Sequence, residues 1–426
     1  MRHKDDLSTN FRHLNASDRN EEEPVMSQLL LGIRVLDATH VLAGPFAGYQ
    51  LALLGADVIR VENPAGGDVA RLGDPSADRR EKGMGYGFLG QNANKRSIAL
   101  DLKSPDGKEA FKRLAATCDV VVENFRPGKM AALGLGAEDI RAVRPDIIYC
   151  SITGFGQKGP LTDRPAYDHI VQGVSGIMAV TGTDESGPVR AGFPLVDYLA
   201  GQMAAFAICA ALYRRAVTGE GEVIDSSMLD AALSVMGPVV SEWAIGGQRP
   251  RRPGNKPYSG SPFSGCFDTA DGMIVVVGNT MPQAQRLCEA LDLPHLFDDP
   301  RVRDWRAHPE LADEMRGQFE TAFSKGTALE WEETLNRVSV PCGKVRDIPD
   351  VLAEPHVVAR DALHEVFVPA LGQTIAVPGL GVRIGGENGR VTAPPPLMSE
   401  HADAVLAEAG YAPAEIAALR AAGTVL

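Results

Sequence analysis

The sequence predicts an α/β protein whose larger part is a doubly wound parallel sheet, followed by a smaller domain. Three observations carry that prediction. Short apolar runs alternate with helix-length segments from Arg34 to Ser151, and strand–helix–strand units of about 30 residues imply a parallel sheet. At 426 residues the chain is too long for one ordinary core. Composition then shifts at Gly246–Ser264, where Arg249, Pro250, Arg251, Arg252 and Pro253 crowd together, as at a linker or domain crossing.

Arg34–Thr39 reads as a short buried strand. Gly44-Pro45 opens a helix that ends at Gly55, and Asp57–Glu62 is the next strand. The turn between them, His40 to Phe46, lies where open α/β sheets bind ligands and where a helix start favours phosphate. It lacks G-x-G-x-x-G spacing, so a dinucleotide is not indicated. Asn63–Gly90, rich in Gly, Pro, Asp and Arg, reads as a long loop. Within it, Met84–Gly90 has the glycine spacing of a mobile flap or of a merely floppy connection. Asn92–Lys103 is a cationic turn leading into a strand. Ser104-Pro-Asp-Gly then starts a helix through Ala116, and Asp119–Asn124 is a further strand. Asn124–Gly128 again puts polar groups at a strand's carboxyl end, and helix 129–143 with strand Asp146–Ser151 repeats the pattern. Gly154-Phe-Gly-Gln-Lys-Gly159 does match G-x-G-x-x-G, but Pro160 and Pro165 follow where a helix would be needed. It reads as an active-site loop rather than a nucleotide fingerprint.

Arg190–Gly201 is where the chemistry converges. Pro194 suits a helix start, because it lacks the N–H that a first turn leaves unpaired. The apolar run Leu199–Leu212 behind it reads as a buried helix. Asp197 therefore falls near a helix N-terminus, where free N–H groups and the dipole stabilise a carboxylate. Two roles fit it: a helix cap, or an ionised carboxylate presented to a substrate.

Further on, Gly265–Asp268 and Met273–Val277 suggest a small antiparallel element, joined by helices around 282–291, 309–323 and 328–337. Strand-like pieces, a Pro-rich turn at 394–396 and a terminal helical pair close the chain. The resulting division is a tail or over-extended start at 1–28, a large domain at 29–240, a linker and small domain at 241–350, and a return to the large domain at 351–426.

A net charge of −13 argues against nucleic-acid binding. The six cysteines form no C-x-x-C pair, which fits reduced, buried thiols rather than disulfides or zinc. Residues 1–25 lack an apolar core, so they are no secretory signal. The run 199–212 is too short and too interrupted to span a membrane. A cytoplasmic location is the expectation.

The motifs taken together resemble the class III CoA-transferase family, which includes formyl-CoA and carnitine CoA-transferases and α-methylacyl-CoA racemases. The residues that carry the resemblance are Gly32–Asp37 with Ala43-Gly-Pro, Leu54–Glu62, Asn94–Lys103, Val121–Gly128, Thr153–Pro160, Thr218-Gly, Ser227–Ala231 and Glu400–Gly410. It covers the chain from about residue 30 to its end. The resemblance implies a Rossmann-like large domain, a small domain and a homodimer of interlocked rings. It places the nucleophile at Asp197 and the neighbouring acid-site pair at Tyr167 and Asp168. Coenzyme A contacts fall on His40, Ala43, Leu100, Lys103, Asn124, Phe125 and Met228. Arg60, Lys95, Arg96 and Arg126 are added here because CoA phosphates need cationic partners. The substrates are then an acyl-CoA and a small organic acid, with no metal and no permanently bound cofactor. An aspartate that attacks a thioester must be ionised, a state that a helix N-terminus favours.

Departures from the family narrow the reading. Tyr167 stands where the racemases carry the histidine of their acid/base pair, and a phenol is a poor two-way proton shuttle at neutral pH. Leu42 and Gly254–Gly260 replace a glutamine and a polyglycine loop of the formyl-CoA transferases, which disfavours formate exchange. Another organic acid is implied; a dicarboxylate would find its counter-ion in Arg190 or an arginine of 249–252. A racemase-like isomerase and an inert CoA-binding paralogue are the alternatives.

Overall fold

The computed structural model describes residues 28–257 and 259–426, so the expectation for the first 25 residues lies outside it. Six strands form the main sheet: β1 (Arg34–Ala38), β2 (Asp57–Glu62), β3 (Lys95–Ala99), β4 (Val120–Glu123), β5 (Ile148–Thr153) and β6 (Glu222–Ser227). Their order is β3-β2-β1-β4-β5-β6 and every pair is parallel. This is the doubly wound, Rossmann-like arrangement, and its strand order reverses between β1 and β4.

The strands read as unbroken apolar runs because both faces of the sheet are covered. Val35, Val58, Val120 and Ile148 pack on one side, against helices α1 (Ala43–Leu53) and α5 (Leu195–Thr218). Leu36, Ile59, Val121 and Tyr149, their sequence neighbours, pack on the other side with α2 (Pro105–Ala116), α3 (Ala137–Val143) and the two C-terminal helices. Ser104 caps α2 by accepting from Gly107 N, with Pro105 at its first position. Helices α4 (Asp168–Val174) and α6 (Met228–Val235) lie beside α5.

Several segments differ from their sequence reading. Asn63–Gly90 is not a bare loop: it holds a turn of 3₁₀-helix at Val69–Leu72 and short helices at Ala77–Glu81 and Tyr86–Leu89. Met84, Phe88 and Leu89 are buried against Val368, and the Arg71 guanidinium lies 3.7 Å from the Phe88 ring centre. The segment is packed structure rather than a flap. The expected helix 129–143 is two helices, because Gly134 takes a left-handed φ of 71° between them. Helix α5 is longer than its apolar run. Its 24 residues have the length and hydropathy of a membrane-crossing helix, so the run does not exclude a span by length. Its Val196, Ala200, Ala204 and Ile208 stripe is nevertheless buried in the core.

A three-stranded antiparallel sheet, Ser264–Asp268, Met273–Val277 and Cys342–Lys344, has its own core built on Phe263, Phe267, Leu287, Phe319 and Phe323. The chain then returns to the main sheet. His401 N donates to Ser97 O, Val425 bridges to Leu100, and the Asn94 carboxamide accepts from Thr392 N and Ala393 N.

Candidate active site

The point where the strand order reverses is closed by a reciprocal clamp. His40 N donates to Asn124 Oδ1 at 2.9 Å, and Asn124 Nδ2 donates to His40 O at 2.8 Å. The His40 and Phe125 rings meet edge to face with centroids 5.3 Å apart. Glu123, the last residue of β4, accepts Phe125 N at 2.8 Å and fixes the turn; burial pushes its carboxyl up to about 7. Burial also holds the His40 imidazole below its ordinary pKa. Thus three residues expected at the CoA site come together at the carboxyl ends of the two central strands.

The neighbouring residue is strained. Val41 has φ of 68°, a genuine outlier for a β-branched side chain that costs about 1–3 kcal/mol. Both of its peptide groups are tied down: Val41 N donates to the Asp68 carboxylate at 3.0 and 3.1 Å, and Val41 O accepts from Gln91 Nε2 at 2.9 Å. Asp68 is in turn held by the buried Arg60 guanidinium. This network aims the start of α1, whose first-turn N–H groups have no intrahelical partner.

The first turns of α5, which carry Asp197, pack against the first turn of α1. Gly201, one turn further along α5, sits so close to α1 that an added Cβ would lie 2.4 Å from Ala43 O, and Tyr198 meets Phe46 edge to face at 4.8 Å. Pro194 is the N-cap residue of α5 and makes no side-chain cap. The cap comes instead from Asp168, whose Oδ1 accepts Val196 N at 2.7 Å and Asp197 N at 3.3 Å. Asp168 Oδ2 accepts Gln172 Nε2 at 2.6 Å. Asp197 therefore occupies the third helical position with its carboxyl uncommitted to capping. Burial, and then the Asp168 charge, push that carboxyl up to about 7. Against the expectation that the helix N-terminus favours the ionised form, burial and the Asp168 charge oppose it, and near neutral pH the carboxyl is poised between its two forms.

Other expected residues fall into distinct groups. Tyr167 is 62% exposed and stacks beside His169, whereas Asp168 is buried. Ala43 and Met228 are buried near α5, and Leu100 gives its side chain to the core. Lys103 and Arg126 are exposed beyond β3 and β4, as is Lys129, which the sequence reading did not single out. Three cations are corrected. Arg60 is wholly buried among Asp37, Glu62 and Asp68, and cannot reach a ligand phosphate. Lys95, equally buried, donates to Asp37 Oδ2 at 2.9 Å and Pro45 O at 2.7 Å, so it anchors α1 to the sheet; burial pushes its ammonium down to about 8. Arg96 pairs with Asp57 and Glu408 in the amino-terminal half of the sheet, away from the clamp. Arg252 is spent on Ala179 O and Thr183 O. Gln172, which the sequence reading did not single out, is fully buried and joins Asp168 to Ala191 N.

Comparison with known proteins shows what the chain as a whole is similar to. The profile described as CoA-transferase family III matches residues 30–402. The human succinyl-CoA:glutarate CoA-transferase is 38% identical over 92% of this chain and 87% of its own length. The succinate–glutarate CoA-transferase of Agrobacterium fabrum is 38% identical over 89% of this chain and 95% of its own. The crystal structure of a CAIB/BAIF family protein from Brucella suis superposes with a TM-score of 0.79 at 30% identity, covering 90% of this chain and all of that one.

Proposed function

Because the chain belongs to CoA-transferase family III, we propose that it moves CoA from a dicarboxylic acyl-CoA, such as succinyl-CoA, to a second dicarboxylic acid, such as glutarate, by covalent catalysis on Asp197. The observation that carries this reading is the placement of Asp197. Its carboxyl is uncommitted, in the first turn of α5 and one turn from the point where Gly201 meets Ala43 at the start of α1. The named substrates of the relatives above supply the acid class.

In the proposed course, ionised Asp197 attacks the thioester carbonyl and expels CoA thiolate, leaving a mixed anhydride. The thiolate attacks the aspartyl carbonyl, which releases the donor acid and leaves an aspartyl-CoA thioester. The acceptor carboxylate attacks that thioester, expels the thiolate again and forms a second anhydride. Attack of the thiolate on the acceptor's carbonyl yields the new acyl-CoA and frees Asp197. First-turn N–H groups of α1 stabilise the oxyanions. Lys103, Arg126 and Lys129 meet the CoA phosphates, and the His40–Asn124 clamp with Phe125 shapes the nucleotide end. Arg190, exposed and in no ion pair among the described residues, answers the distal carboxylate. The whole takes place in the cytoplasm.

A homodimer is part of the proposal. Opposite its buried stripe, α5 exposes Phe206, Tyr213 and Val217, and Trp243 and Ile245 are exposed after α6. So large an apolar surface needs a cover, and a second copy supplies it.

The test is to incubate the protein with succinyl-CoA, trap with hydroxylamine or borohydride, and map the modified peptide. Label on Asp197 is expected, and Asp197→Ala should abolish transfer while still binding CoA. Acceptor-dependent transfer without a carboxylate adduct would sink the mechanism.

A further inference from the structure

The segment from Ala191 to Asp197 is held at both ends by a single buried side-chain pair. At its far end Asp168 Oδ1 takes the N–H groups of Val196 and Asp197. At its near end Gln172 Oε1 accepts Ala191 N at 2.8 Å, and Gln172 Nε2 lies 3.4 Å from Phe193 O. The two clamps are joined by Gln172 Nε2 donating to Asp168 Oδ2 at 2.6 Å. Gln172 is wholly buried. Its carboxamide supplies the two roles this place needs without a charge: a donor toward a carboxylate and an acceptor toward an amide.

We infer that Gln172 is a positioning residue for the transfer reaction: it locks the Asp168 carboxylate and the Ala191–Phe193 strap into one frame that sets where Asp197 and Arg190 meet the substrate. The inference rests on Asp197 being the nucleophile. A carboxamide in this place also fixes the charge count around Asp197. A carboxylate at 172 would face Asp168 with like charge and could donate nothing to it. Protonated, it would restore both bonds, its hydroxyl donating to Asp168 and its carbonyl accepting from Ala191 N. The titratable groups that bear on position 172 are Asp168 on its own helix and Asp197 on α5. Tyr167 and His169 of α4, Arg190 of the strap and Asp230 of α6 are exposed.

The experiment compares full-length wild type, Gln172→Glu and Gln172→Leu between pH 6 and pH 8.5, with thermal melts recorded on each. Gln172→Leu should lower kcat at least tenfold while KM for the acyl-CoA changes less than threefold. For Gln172→Glu, the ratio of its kcat to that of wild type should rise at least tenfold as the pH falls from 8.5 to 6, a recovery that a merely structural role would not produce. If the leucine variant fails to fold, the pH ratio within the glutamate variant decides alone. A flat ratio overturns the inference while an adduct mapped on Asp197 of the wild type leaves the mechanism standing. Absence of that adduct overturns both.

Discussion

Asp168 Oδ1 accepts the backbone N–H of Asp197 at 3.3 Å and that of Val196 at 2.7 Å, so one aspartate caps the helix that presents the other. The division of labour has a physical consequence. A carboxylate that caps its own helix spends its lone pairs on N–H groups and loses nucleophilicity, whereas a cap supplied from α4 leaves Asp197 unengaged. The same proximity places two negative charges in one partly dry site, which raises the proton affinity of the one with fewer donors.

The pH dependence of transfer follows from that pair. Asp197 must be ionised to attack, and its carboxyl is pushed up to about 7, so kcat should rise with pH through a limb near 7. Asp168→Asn removes the neighbouring charge and should move the limb to lower pH, while weakening the cap. A pH–rate profile with saturating substrates checks both, and an unmoved limb in the variant would refute the coupling.

The same shift predicts a stability effect of the opposite sense. Folded, Asp197 binds its proton more tightly than the unfolded chain does, with about 7 against 3.8. It therefore costs stability progressively as pH rises from about 4 to 7, and the full cost is present above 7. Asp197→Asn, which stays neutral, should be more stable than the parent at pH 8 by on the order of 2 kcal/mol, with the gap closing toward pH 4. Urea titrations at pH 5 and pH 8 measure it.

Strain at Val41 makes a paired prediction. Val41→Gly releases the left-handed valine but loosens the unfolded chain, so its stability should stay within about 1 kcal/mol of wild type. Asp68→Ala strips the buried Arg60 of its nearest partner and should cost about 3 kcal/mol. Because Asp68 also holds Val41 N, the acyl-CoA KM should rise as well. Denaturant melts with steady-state kinetics separate the two effects.

The proposed dimer can be weighed directly. Native mass spectrometry should give a mass of twice 45.4 kDa, and Phe206→Lys with Tyr213→Lys should shift it toward the monomer. A wild type that is monomeric at micromolar concentration would count against the second copy as the cover of α5.

Much of the site was legible along the chain, because it depends on local order. The alternation of strands and helices located the turns after β1 and β4. The family motifs then marked His40, Asn124 and Phe125 within those turns, and Pro194 ahead of an apolar run put Asp197 in the first turn of a helix. The cations were not legible. Arg60, Lys95, Arg96, Lys103 and Arg126 look alike in sequence, yet the first two are neutralised inside the sheet and the third at its opposite end. Met84–Gly90 carried the glycine spacing of a flap, and only the meeting of Phe88 with Val368, far along the chain, made it packed structure.

By itself, then, the sequence determined the periodicity, the helix starts and the placement of an aspartate at one of them, all set by neighbours within a few residues. Tertiary structure alone decided which carboxylate caps and which stays open, which basic groups remain in water, and that Gln172 belongs to the site. Each of those depends on burial and on partners beyond the local turn, as in Asp168 with Val196 and Arg60 with Asn92. Electrostatic energies turn on such distances and on dielectric, and neither is written in the local order of residues.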